Sequence, residues 1–309
     1  MDRFAEAEIF IHTVEAGTIT AAANALSLDK SVVSRRIKAL EQRLGATLLN
    51  RSTRTLSLTD AGRSYYQRAQ GLVRAWRDME DEASGAECAL AGPIRIAAPL
   101  SFGLSQLGPI LIEFQREHSD IRLDVDFSDR TIDLIADGFD MAVRIGRLDD
   151  SAMIARKIGD VQMICAASPQ WLNENGPIET VEDLRGAPEL RYGLRSGKGW
   201  AFRGPNGSRG TIQLDPVMLA SNGSFLRDAA VAGFGVIITP DFILCDAVRS
   251  GQLIRILPDY IFDAPTVYAV WPPNRHMPRR VRALVDFIND RFSGVAPWSL
   301  EGIRDSQEG

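Results

Sequence analysis

Residues 29–45, DKSVVSRRIKALEQRLG, restrict what this chain can fold into more than any other stretch. Val33, Ile37, Leu40 and Leu44 recur at spacings of four, three and four, which predicts one buried helical face. Asp29 stands where a short oxygen-bearing side chain caps the first amides, and Gly45 where a left-handed residue ends the helix. The outward positions are then Lys30, Ser31, Ser34, Arg35 and Lys38. Just upstream, residues 20–26 read TAAANAL, a short helix beginning after Thr18 or Thr20, with alanines small enough to let another helix cross closely. Ser27-Leu28 connects the two, and Phe4, Ile9, Phe10 and Val14 mark an earlier amphipathic helix that stops at Gly17. A short helix, a tight turn and a second helix with a basic, serine-rich outer face is the helix-turn-helix plan. Its second helix enters a DNA major groove by its N-terminal end.

The charge distribution points the same way. The 309-residue chain carries a formal charge of -5, yet residues 30–63 hold eight basic residues against two acids, a local +6 of the kind that attracts phosphate. LLNRSTRTLSLT (48–59) alternates Leu56 and Leu58 with Thr55, Ser57 and Thr59, which predicts a short hairpin with Arg51 and Arg54 near its tip. Such a tip reaches phosphates or the minor groove beside a recognition helix. A three-helix bundle built for protein contact shows similar apolar faces. The coincidence of cap, apolar face, basic face and basic hairpin favours double-stranded DNA as the partner.

From Asp60 the pattern becomes a heptad seam: Tyr65, Ala69, Leu72, Trp76, Met79, Ala83 and Ala86. Its period suits a supercoiled helix pair, hence a dimer helix, although a helix packed on its own domain carries a similar stripe. GAECALAGP (85–93) ends the helix and marks a boundary. Beyond it, strands and helices alternate: PIRIAAPLSFG (93–103), a helix over 104–117, IRLDVDF (121–127), MAVRIG (141–146), VQMICAA (161–167), a helix over 222–232, GVIIT (235–239) and VYAVW (267–271). The pattern predicts an α/β domain with a mainly parallel sheet, closed by a helix over 279–292 that carries Val281, Leu284, Val285 and Ile288 on one face. Residues 294–309 mix Gly, Pro and charges and read as a flexible tail.

Other chemistries find little support. The three cysteines, Cys88, Cys165 and Cys245, have neither disulfide-framework nor metal-ligand spacing and read as buried free thiols. PLSFG (99–103) has Pro where a nucleophile elbow wants Gly, and His118 and His276 lack a base context. AGFGV (232–236) falls short of a dinucleotide fingerprint, and Asp124 and Asp126 gather no further ligand. No enzyme, cofactor or metal site is expected. There is no signal peptide and no apolar run of membrane-spanning length, so the expected location is the cytoplasm.

Residues 17–62, GTITAAANALSLDKSVVSRRIKALEQRLGATLLNRSTRTLSLTDAG, resemble the N-terminal domain of LysR-type transcriptional regulators. GFDMAVRIGRLDDSAMIARKIG (138–159) and VYAVWPPNRHMPRRVRALVDFI (267–288) resemble the branch of CrgA- and DmlR-like regulators. One departure stands out: Asp29-Lys30 replaces the Ser-Gln common in the family, and Lys favours guanine or phosphate where Gln reads adenine.

The resemblance implies an α+β multidomain protein. A winged helix-turn-helix domain (1–59) is followed by a linker or dimerisation helix (60–89). The effector-binding domain (90–293) is two-lobed and α/β, like a type 2 periplasmic binding protein. Lobe 1 spans about 93–164 and 268–293 and lobe 2 about 165–267, with crossings near Cys165 and Tyr268. The DNA-binding residues are then Thr20, Asp29, Lys30, Ser31, Ser34, Arg35, Lys38, Arg51 and Arg54.

An effector cleft between the lobes would use Ser101 and Phe102 at the first strand-to-helix turn, Arg144 and Arg147 after a strand, and Trp200, Phe202, Ser221 and Asn222 across the cleft. The structural alternatives are capping for Ser101 and Asn222, core packing for Phe102 and surface ion pairs for the arginines. The implied function is regulation of transcription by a dimer or tetramer that binds operator DNA, a small-molecule effector such as a small carboxylate, for instance an aromatic one, and RNA polymerase. The alternative is a solute-binding or hydrolytic α/β domain with an N-terminal assembly segment.

Overall fold

A computed structural model describes residues 2–51, 56–83, 90–146, 153–193, 199–273 and 277–300. The chain divides into two compact units, Met1–Ala89 with Ile132–Phe139, and Leu90–Thr131 with Asp140–Gly309.

The first unit begins with α1 (Arg3–Ala16), started by Asp2, whose carboxylate accepts the Phe4 and Ala5 amides, and stopped by Gly17 in the left-handed region. Thr18 caps α2 (Ile19–Ala25), and Ala22 and Ala23 are buried, as close helix crossing requires. α3 (Lys30–Leu44) ends at Gly45 with φ 66°. Val33, Ile37 and Leu40 join Ile9, Phe10, Ala23, Leu48 and Leu49 in one core. Leu44 departs from expectation: in the last turn before Gly45 it is exposed. β1 (Leu49–Arg51) and β2 (Leu56–Leu58) pair antiparallel, Leu49 opposite Leu58 and Arg51 opposite Leu56.

α4 (Asp60–Ala83) then runs back along α1. The expected seam divides. Ala69, with neighbouring Val73, is buried against Ala7 and Ile11 of α1, and Tyr65 packs edge-on to Phe10 at 5.5 Å. Thus α1 covers the early part of the stripe, as in a helix packed on its own domain. Trp76 packs on Phe4 of α1 with ring centroids 5.3 Å apart and stays half exposed, Leu72 (72% exposed) and Met79 stand out of this packing, and Ala86 lies outside the described residues.

The second unit holds two sheets. The first, in order β4-β3-β5-β15-β6, contains β3 (Gly92–Ala98), β4 (Ile121–Phe127), β5 (Met141–Gly146), β6 (Ile154–Asp160) and β15 (Thr266–Trp271). Between β3 and β4, α5 (Leu100–Phe102) passes through a π-helical turn (Gly103–Leu107) into α6 (Gly108–Glu117). The second sheet takes β7 (Met163–Ala167), β8 (Pro188–Tyr192), β9 (Trp200–Arg203), β10 (Arg209–Ile212), β11 (Asp215–Ala220), β12 (Val236–Pro240), β13 (Ile254–Ile256) and β14 (Ile261–Phe262). Helices α7 (Pro169–Asn175), α8 (Gly223–Val231) and α9 (Asp241–Arg249) connect these strands, and α10 (Arg279–Phe292) closes the domain.

Both sheets are mixed rather than mainly parallel. β3 is parallel to β4 and β5, and β8 to β11 and β12, but β15 runs antiparallel to β5 and β6, and β7 to β12. The chain crosses from the first sheet to the second at Val161-Gln162, slightly before Cys165, and returns between β14 and β15. Among the described residues no helix is long and apolar enough to cross a membrane.

The tail corrects its reading as flexible as far as Leu300. Trp298 (1% exposed) and Leu300 are buried, Trp298 edge-on to Phe102 and Phe292 at 5.4 and 5.0 Å. Arg249 donates to the carbonyls of Pro297 and Ser299. One aromatic side chain outweighs the surrounding Gly and Pro, because burying it removes a large apolar area from water. Residues 301–309 lie outside the described residues.

Candidate nucleic-acid interface and effector cleft

On α3 the core residues Val33, Ile37 and Leu40 fix the rotation of the helix, and the opposite face follows from the helical period. Lys30, Ser31, Arg35 and Lys38 are exposed, as is Thr20 on α2, and Ser34 is half-buried. Among the described residues Lys30, Arg35 and Lys38 make no ion pair. Arg43 differs: it donates to the buried Glu6 carboxylate at 3.0 Å, which raises the arginine's pKa and ties the end of α3 to α1.

Asp29 corrects its reading as a side-chain cap. It occupies the N-cap, but only its backbone carbonyl is engaged, by the Val32 and Val33 amides. The first turn of α3 therefore has no side-chain oxygen on its amides, the condition under which a helix N-terminus can meet a phosphate. Arg51 ends β1, its side chain lying outside the described residues along with Arg54.

In the second unit, polar groups gather where parallel strands end. Ala98 of β3 pairs with Phe127 of β4, so Pro99–Ser101 and Ser128–Arg130 leave the first sheet side by side. In the second sheet Ala220 of β11 pairs with Tyr192 of β8, so Tyr192 lies beside residues 221–224. The two sets meet. Ser224 Oγ donates to Ser101 Oγ at 3.2 Å, and the Asp129 charge together with burial pushes the Tyr192 hydroxyl up to about 12, burial being the larger cause. Asp129 also accepts the Leu100 amide at 3.0 Å, and Ser128 Oγ is buried without a partner among the described residues. Strand ends of an α/β domain converge here in the manner of ligand clefts.

This geometry redistributes the expected cleft residues. Ser101 is at the cleft. Asn222 lies there too, with Oδ1 capping α8 by accepting the Phe225 amide, and Ser221 is exposed beside it. Phe102 is not a cleft residue: it is fully buried, edge-on to Phe242 at 5.1 Å and to Trp298. Trp200 (3% exposed) also faces a core, its Nε1 donating to the buried Glu189 carboxylate at 2.8 Å, and Arg191 holds the same carboxylate. Phe202, two residues on and so on the same strand face, packs on Tyr260. Arg144 is half-buried on β5 opposite Tyr268, and Arg147 lies outside the described residues. Ser224, Tyr192 and Asp129 lie outside the expected set, because only the strand register and the Ser101–Ser224 contact bring them together.

Ser101 meets a second serine rather than a base, and His118 stacks on Phe114 at 4.6 Å. Asp124 and Asp126 are paired with Arg95 and Arg130. Gly235, with φ 152°, lets the backbone pass Pro188, whose carbonyl oxygen would sit 2.1 Å from an added Cβ. These residues therefore have structural work. Cys165 and Cys245 are buried free thiols, and burial raises the pKa of each, while Cys88 lies outside the described residues. A separate cavity of about 440 Å³ beside the tail is lined by Lys157, Gln162, Asp241 and Trp298, and burial pushes the Asp241 carboxyl there up to about 7.

Residues 4–63 match the family described as "Bacterial regulatory helix-turn-helix protein, lysR family", and residues 89–293 match "LysR substrate binding domain". The chain belongs to the LysR family of transcriptional regulators. Among LysR-type relatives, the transcriptional regulator CrgA of Neisseria meningitidis serogroup C is 32% identical over 92% of this chain and 95% of its own length. A helix-turn-helix transcriptional repressor of Pseudomonas aeruginosa is 34% identical over 95% of this chain and 93% of its own. The solved structure of Neisseria meningitidis CrgA matches with a TM-score of 0.61 at 31% identity, covering 94% of this chain and 99% of that one. The full-length Vibrio cholerae virulence activator AphB matches at 0.59 and 29%, covering 93% and 98%. This LysR-type regulator thus joins a DNA-binding helix-turn-helix domain to an effector-binding domain, and the family consists of regulators, not enzymes.

Proposed function

We propose that this regulator lays the outward face of α3 into an operator major groove and moves between DNA-bound arrangements when a small molecule enters the cleft of its second unit. In this reading residues 1–59 are the DNA-binding domain, 60–89 the linker and 90–293 the effector-binding domain. The observation that carries it is the exposed basic face of Lys30, Arg35 and Lys38, which makes no ion pair among the described residues although acids outnumber bases in the whole chain. Ser31, Ser34 and Thr20 supply hydroxyls for bases and phosphates, and Arg51 and Arg54 the wing contacts. Leu72, Trp76 and Met79 form the apolar dimer strip, with tetramers made by further contacts between effector-binding domains, and Leu72→Glu turns dimers into monomers in sedimentation velocity.

The effector is a small polar molecule. Its carboxylate sits at Ser101, Ser224 and the N-terminus of α8, and a donor group faces Asp129. Arg144 and Arg147 supply positive charge to the cleft rim. With Phe102 and Trp200 buried and Phe202 packed on Tyr260, we place no aromatic wall for a flat ring in the cleft. A ligand changes the regulator only by binding one lobe arrangement more tightly than another, and the change passes to the operator and to RNA polymerase in the cytoplasm.

The test is fluorescence anisotropy on DNA upstream of the protein's own coding region, over a salt series, with scrambled duplex as competitor. The expected result is binding that resists the competitor, falls steeply with salt and is weakened by about 1–3 kcal/mol in Arg35→Ala. Wild-type protein that binds no DNA at low salt overturns the reading.

A further inference from the structure

The C-terminal end of α3 is an unfavourable place for a carboxylate, because the helix dipole presents its negative end there. Glu41 nonetheless occupies this last turn, and its oxygen leaves the helix to bond elsewhere. Glu41 Oε1 accepts the Leu48 amide at 2.8 Å and the Leu49 amide at 3.1 Å, at the root of the β1–β2 wing. In the antiparallel ladder the Thr59 amide bonds the Leu48 carbonyl, so Leu49 falls in a non-hydrogen-bonded pair with Leu58 and its amide points away from β2. The recognition helix fills that vacancy.

The Leu48 carbonyl is held by Thr59, the residue before α4, whose amide donates to it at 3.0 Å. Thr59 Oγ1 donates to the Thr47 carbonyl at 2.7 Å and receives the Gly62 amide at 2.9 Å. Gly62 lies so close that an added Cβ would sit 2.0 Å from the Leu48 oxygen. Leu48 is therefore held on both sides, its amide by Glu41 of α3 and its carbonyl by Thr59 just before α4, with Gly62 leaving that carbonyl room.

We propose that Glu41 is the positioning residue that fixes the wing against the recognition helix, so that Arg51 reaches DNA only while Glu41 holds the wing root. This rests on the DNA-binding reading above. A group whose charge works against its own helix is placed to tie two DNA-contacting elements together.

Operator binding across a salt series tests this with wild type, Arg51→Ala, Glu41→Asp, and the double variant. Glu41→Asp keeps the charge and withdraws the oxygen by one methylene. In the wild-type background Arg51→Ala should weaken binding about tenfold and reduce the salt slope by about one. In the Glu41→Asp background it should change neither, while Glu41→Gln, which keeps an acceptor at the same reach, should restore the full Arg51 effect. Equal Arg51 losses in all backgrounds overturn the proposal. Hydrogen exchange of the Leu48 and Leu49 amides gives a reading without DNA: protection should fall in Glu41→Asp and persist in Glu41→Gln, and equal protection in both also overturns it. Wild-type protein that binds no operator fails the DNA-binding reading instead, and the exchange data still judge the Glu41 contact.

Discussion

On α3, Lys30, Ser31, Arg35 and Lys38 stand exposed along a single helix, whereas at the cleft Ser101, Asn222, Ser224 and Asp129 already bond to other protein groups. The difference reflects their partners. Phosphate is dense with charge and binding it releases counterions, so a basic face can wait in water for it at little cost. A half-buried cleft has less freedom: each polar group left unsatisfied costs about 1–3 kcal/mol, and here Ser101 and Ser224 satisfy one another while Asn222 and Asp129 bond backbone amides of their own lobes. A ligand then exchanges existing bonds for new ones, and the net gain is small relative to the number of contacts.

Three substitutions sharpen the contrast. The largest effect is expected from Phe102→Ala, at about 3–5 kcal/mol of unfolding free energy, because the ring is buried against Phe242, Phe292 and Trp298. Chemical denaturation checks it, and a loss below about 1 kcal/mol would return Phe102 to the cleft wall. Next, Arg35→Ala should cost about 1–3 kcal/mol of operator affinity with no change in thermal midpoint, read by anisotropy and a melting curve. The smallest is Ser224→Ala, which removes one neutral hydroxyl pair and should shift effector half-saturation by roughly 1 kcal/mol while operator affinity without effector is unchanged. If Ser224→Ala instead equalled Arg35→Ala in its effect on DNA binding, the two regions would not be separable as described.

The same contrast explains what could be read from the amino acids. The face of α3 obeys a local rule: Val33, Ile37 and Leu40 fix its rotation within three turns, and Gly45 ends it. The cleft obeys no local rule. Ser101 and Ser224 are 123 residues apart, and their meeting depends on the pairing of β3 with β4 and of β8 with β11. The resemblance points Trp200 and Phe202 to the cleft, and the first strand-to-helix turn points Phe102 there, but which of two neighbouring surfaces takes each ring is decided by packing that no local pattern records. Asp29 failed as a side-chain cap for a smaller reason, since residue type allows the bond and only the rotamer decides it.

The clasp of Trp298 has a practical side. The family's effector-domain match stops at residue 293, and a chain shortened there would look complete by homology. It would lack Trp298 and Leu300, both buried, and the carbonyls of Pro297 and Ser299 that Arg249 holds. Phe102, next to Ser101, would lose one of its aromatic neighbours. A trimmed effector domain would thus carry a hole directly behind the proposed effector cleft. Its altered response to small molecules would then be mistaken for a property of the intact regulator.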